Sequence, residues 1–108
     1  MKLNIVYSNA QLEKIREQGF VYMCACPSQV SEQIARLRRL FAYQQNCING
    51  SETPLDIKTH QLIAKATSRA HDMMQECLHD VLVHEKWNLE TLEMPDNLRQ
   101  LLEKTLLE

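Results

Sequence analysis

Two thiols stand directly before a proline in Cys24-Ala25-Cys26-Pro27. Proline is tolerated at a first helical position and pushes the preceding residue into an extended conformation, so this tetrapeptide reads as a helix entrance. The positive end of a helix dipole favours thiolate, the form that binds metals and attacks disulfides. A third thiol, Cys77, lies within roughly 20° of His84 on a helical wheel. If the two long helices described below fold back on each other across a short loop, Cys77 comes level with Cys24 and Cys26. Three Cys and one His form a recognised zinc ligand set. Cys24, Cys26, Cys77 and His84 are therefore a candidate site for zinc or iron, or for thiol redox chemistry. Against it, Cys-x-Cys is not a paired-knuckle spacing, and buried cysteine also serves as a small hydrophobe. Cys47 belongs to the opposite end and stays outside the set.

Glu76-Cys77-Leu78-His79 has the Glu-x-x-His spacing of carboxylate-bridged di-iron bundles. Only one copy occurs, and both residues fall on the polar side of the wheel beside Asp72 and Asp80. A solvated face is the better reading. His60 and His71 are three turns apart and line the edge of an apolar arc with Thr67 between them. A haem or metal role competes there with half-buried histidines that hydrogen-bond their neighbours. Arg36, Arg38 and Arg39 with Tyr43 could grip nucleic acid, but they spread over roughly 160° of a helix. The net charge of −2 also argues for a solvated face or an acidic protein partner rather than nucleic acid.

With Gly19 and Gly50 as the only glycines, no phosphate-cradling loop or dinucleotide fingerprint can be built. No nucleophile–base triad stands out. An enzyme is disfavoured, and no cofactor is required. The 108 residues suit one domain, 1–108. No apolar run approaches the roughly 20 residues of a membrane span. The first residues lack the pattern of a secretory signal, so the expected home is cytoplasmic and the cysteines are expected to be reduced.

The elements that must position these residues are mainly helical. Leu3–Tyr7 reads weakly as a strand. Residues 9–18 read as a short helix, with Ser8 or Asn9 as N-cap, Gly19 past its end, and Leu12 and Ile15 buried. The apolar run 20–25 suits a buried strand or a core-threading coil. From Pro27 to about Ile48 a helix carries Val30, Ile34, Leu37, Phe41 and Ile48 in one narrow stripe. Asn49–Glu52 is the clearest break. Thr53-Pro54-Leu55-Asp56 then opens a long helix over 54–86. Its apolar arc spans roughly 200°, from Leu62 through Ala66, Cys77, Ala70, Ile63 and Met74 to Leu78 and Leu82. One neighbouring helix cannot cover that width. Residues 87–94 read as a connector in which Trp87 pins the end of the long helix. Pro95 opens a last helix with Leu98, Leu101, Leu102 and Leu106 on one side.

The sequence thus predicts a mainly α helical bundle built on a long antiparallel helix pair, with irregular or short-strand flanks at the N-terminus. The broad arc against a narrow stripe predicts a homodimer or a dedicated protein partner. The leading functional expectation is a non-catalytic helical interaction or regulatory module. The alternative is a metal-binding or thiol-redox protein centred on Cys24, Cys26 and Cys77.

Overall fold

The computed structural model describes residues 2–22 and 26–95. Among the described residues, three helices follow in order: α1 (Asn9–Tyr22), α2 (Cys26–Gly50) and α3 (Pro54–His84). α2 packs on both α1 and α3. The molecule is elongated, 58 × 24 × 18 Å. The long antiparallel pair is α2 and α3, joined across Ser51–Thr53. The C-terminal helix expected from Pro95, with Leu98, Leu101, Leu102 and Leu106, lies outside the described residues, as does Cys24.

The starts of α1 and α3 are written locally. Ser8 and Gln11 form a reciprocal capping box. Gln11 N donates to Ser8 Oγ at 3.0 Å, and Ser8 N donates to Gln11 Oε1 at 2.8 Å. Tyr7 before the cap and Leu12 in the next turn are both buried in the same cluster, as in a hydrophobic staple. Thr53 caps α3 by accepting from Asp56 N at 3.3 Å, with Pro54 in the first turn. At the far end of α3, Lys86 N donates to Val83 O at 3.1 Å and Trp87 N to Leu82 O at 2.9 Å. Lys86 has a φ of 63°. That is a Schellman motif with its left-handed residue at Lys86. Its hydrophobic partners, Leu82 and Trp87, both sit in the core.

The core lies at one end of the hairpin. Leu12 and Ile15 of α1, Ile34 of α2, and Leu78 and Leu82 of α3 meet Tyr7, Trp87, Leu92 and Met94 there. Burying each large side chain fully stabilises the fold by about 1.5–3 kcal/mol relative to leaving it in water. The connector after α3 closes this end. Asn88 Oδ1 accepts from Glu90 N and Thr91 N, and Asn88 N donates to Glu93 O. The resulting loop turns Leu92 and Met94 inward beside Trp87, which does pin the end of the long helix. Met94 N also donates to Gln18 Oε1 of α1 at 3.3 Å.

Three sequence expectations are corrected. Leu3–Tyr7 is not a strand; its backbone bonds to a glutamine side chain of α3 instead, as described below. α1 does not stop before Gly19 but runs through it to Tyr22, so residues 20–22 are helical. Gly19 is buried. The stripe of α3 that faces α2 is centred on neither Cys77 nor the middle of the apolar arc. It is Ala64, Thr67, His71, Gln75, Leu78 and Leu82. Cys77 is exposed.

Candidate functional site

Among the described residues, Arg38 reaches four acceptors at the seam between the helices. Its Nε donates to His71 Nε2 at 2.9 Å. Its Nη1 donates to Asn9 Oδ1 at 2.7 Å. Its Nη2 donates to Tyr7 O at 2.6 Å and to Gln75 Oε1 at 3.0 Å. The rigid guanidinium fork suits this divergent set of acceptors, which a single ammonium could not reach together. Gln75 Oε1 also accepts from Val6 N at 2.9 Å and Tyr7 N at 3.3 Å. Gln75 Nε2 donates to Asn4 O at 2.7 Å. One amide side chain thus satisfies three backbone groups of the N-terminal segment, as a neighbouring strand would.

His71 has no exposed surface, and its Nδ1 is buried without a hydrogen-bond partner. Asp72 Oδ1 is 3.8 Å from that atom, beyond hydrogen-bond reach. Burial lowers the His71 pKa below the usual histidine value; the Arg38 charge adds to this, and Asp72 opposes it. Burial likewise lowers the pKa of Arg38. Tyr7 OH lies 3.3 Å from His79 Nδ1, and burial, then the charge of Asp80, raises the Tyr7 pKa. These groups are tied to one another, and their arrangement holds the N-terminal segment to α3.

The other sequence candidates fall in separate places. His60, half-buried, pairs with buried Gln44 at 2.6 Å between Nδ1 and Oε1. Both arc-edge histidines therefore hydrogen-bond across the α2/α3 seam. Arg36 pairs with Glu32 at 3.2 Å, and Arg39 is exposed. Arg38 corrects the expectation of a solvated arginine face, because it turns inward. Asp72, Glu76, His79 and Asp80 are exposed, and with Asn4, Val6 and Gln75 they line an open cleft of about 620 Å³. Cys26 at the start of α2, Cys77 and His84 are all exposed. Among the described residues, no group of three or more His, Cys, Asp or Glu is placed to hold a metal ion. No described helix is long and apolar enough to cross a membrane.

What remains of the broad apolar arc is on the outside of α3. Leu62 is 56% exposed, Ile63 38% and Met73 69%. Ala66 and Cys77 are exposed between them, and Ala70 is half-exposed. No family model, curated protein or solved structure matches the chain. Function must therefore be argued from this surface and from the polar seam. The outer face has the feature that the seam lacks: side chains with unmet packing capacity. Sequence reasoning found Leu62, Ile63, Ala66, Ala70 and Cys77 through the width of the arc and left open whether this chain or a partner covers them; it did not name Met73. It missed Gln75 altogether, because an isolated glutamine carries no hydropathy or spacing signal.

Proposed function

We propose that the chain is a helical interaction or regulatory module that binds through the outer face of α3. The observation that carries this reading is the exposure of Leu62, Ile63 and Met73 next to Ala66, Ala70 and Cys77. Isolated apolar residues on a surface are ordinary, whereas a contiguous apolar strip along one helix marks a contact surface. The small residues let a partner backbone approach, and the large ones supply anchors in the manner of helix-in-groove recognition. α3 is held rigid behind the strip by the Arg38–His71–Gln75 network, so binding requires little ordering of the face itself.

The test is site-specific photo-crosslinking. A benzophenone side chain at Met73 is expected to capture a second protein chain in cells, and the same probe at exposed Glu17 of α1 is not. Equal or absent capture at the two positions would overturn the reading.

A further inference from the structure

We infer that the occupant of this face is a second copy of the chain, docked with its α3 antiparallel to the first. The inference rests on the interaction reading above and names the partner. Ala64, His71 and Leu78 are buried toward α2 and recur every seven residues. α3 thus keeps a heptad repeat against its own hairpin partner, close to the roughly 3.5 residues per turn of a coiled coil. The outer face keeps the same repeat. Ile63, Ala70 and Cys77 form one row, and Ala66, Met73 and Asp80 form the next. Together they make a second seam with the alternating spacing that knobs-into-holes packing needs.

Charge selects the geometry. One flank of this seam, Thr67, Met74 and Val81, is buried or half-buried on the side of α3 turned toward α2. The other carries Leu62, Arg69, Glu76 and Val83, all exposed and again seven apart. In an antiparallel pair related by a two-fold axis, like flanks face each other. An axis passing near residues 71–72 sets Arg69 against Glu76 of the second copy, and Glu76 against its Arg69. The same axis sets Leu62 against Val83, Ala66 against Cys77 and Ala70 against Met73. Asp80 falls in an outer layer of the seam, where water can still reach a carboxylate. Sliding one heptad either way would place Arg69 on Arg69 or Glu76 on Glu76, and like charges so placed are destabilising. A parallel pair would leave this flank against the α2 side of its partner, with neither charge answered. The single register that pairs both charges also pairs Leu62 with Val83, Ala66 with Cys77 and Ala70 with Met73, leaving Ile63 against Asp80 in the outermost layers, and an isologous two-fold contact of this kind closes on itself.

Three measurements on the full chain test this. Sedimentation equilibrium is expected to show a dimer that Ala70→Glu converts to a monomer. Glu76→Arg alone is expected to weaken association by about tenfold, and adding Arg69→Glu is expected to restore it. With Cys24, Cys26 and Cys47 replaced by serine, Ala66→Cys is expected to form an interchain disulfide with native Cys77 under mild oxidation. Cys77 by itself should form none, since in this register the two copies of Cys77 are about 16 Å apart along the helix axis. A monomer at all concentrations, a dimer unaffected by Ala70→Glu, no rescue by the charge swap, or a Cys77–Cys77 disulfide would each overturn the antiparallel pair. Capture of a different protein by the probe at Met73, from a chain that is itself monomeric, would refute the second copy while leaving the interaction reading standing. No capture at that position would sink both.

Discussion

Arg38 Nε donates to Nε2 of His71 at 2.9 Å, and that bond fixes the tautomer of a ring with no exposed surface. Arginine has no acceptor and stays protonated, so Nε2 must offer a lone pair. The remaining ring proton therefore sits on Nδ1, the buried atom without a hydrogen-bond partner. A second proton on Nε2 would break the bond and set two cations together. The seam between α2 and α3 is consequently built for a neutral histidine.

The first prediction is a pH dependence of stability. The folded His71 pKa is lowered relative to its unfolded value, chiefly by burial and then by Arg38. Below about pH 6.5 the unfolded chain therefore takes up a proton that the native ring resists. The stabilisation due to His71 is complete above that pH and is lost as pH falls toward the folded value. Urea unfolding from pH 7.5 to pH 5 is expected to show a decline in stability whose slope shrinks in His71→Gln. An unchanged slope in the variant would refute the assignment.

Removing the fork itself should be more damaging. Arg38→Met strands Gln75 Oε1 short of one donor and leaves Tyr7 O and His71 Nε2 without theirs. The expected loss is about 2–4 kcal/mol, combining hydrogen bonds from a charged donor with polar groups left unsatisfied. Arg38→Lys should recover only a minor part, because one ammonium cannot span the same acceptors. Chemical denaturation gives the totals. Amide exchange at Val6 and Tyr7, which donate to Gln75, should rise in both variants.

Helix starts and the hairpin were legible because they are encoded within a few residues. Ser8 with Gln11, and Thr53 with Pro54 and Asp56, are local statements that tertiary packing did not overrule. The inward rows Leu12/Ile15 and Ile34/Phe41 were legible for the same reason. The facing stripe of α3 was not. Hydropathy spreads the arc from Leu62 through Cys77, Ala70 and Ile63 to Leu82, while the buried row runs through Thr67, His71 and Gln75. Those polar residues are buried because Arg38 and the N-terminal backbone satisfy His71 and Gln75, and Ile63 O accepts the Thr67 hydroxyl at 2.7 Å. The Arg38 and N-terminal partners lie 33 and about 70 positions away in sequence, and no periodicity reports them. Leu3–Tyr7 failed as a strand on the same ground: its donors and acceptors are met by a side chain instead of a ladder.

The C-terminus of α3 offers a stabilising change. Lys86 adopts a φ of 63° at the Schellman position, a conformation that strains a side chain with a Cβ and suits glycine. Lys86→Gly is expected to raise stability by about 0.5–1 kcal/mol, the relief of left-handed strain exceeding the added freedom of the unfolded chain. A shift of the urea midpoint upward with unchanged slope would confirm it; a downward shift would show that the lysine side chain contributes more than its backbone loses.

The rotation of the buried stripe away from Cys77 can be tested at adjacent positions. Leu78 has no exposed surface and sits in the cluster with Ile34, Leu82 and Trp87. Leu78→Ala is expected to lose about 2–5 kcal/mol, the transfer free energy of the removed atoms plus the cavity left behind. Cys77, one residue earlier, is exposed. Cys77→Ala is expected to change the stability of the monomer by no more than about 0.5 kcal/mol, as surface substitutions do. The comparison should be made by unfolding at protein concentrations low enough to suppress association, since stability of an associating chain rises with its own concentration. If Cys77→Ala lost as much as Leu78→Ala under those conditions, the outer face would belong to the core of the single chain, and the surface proposed for binding would not be available to a partner.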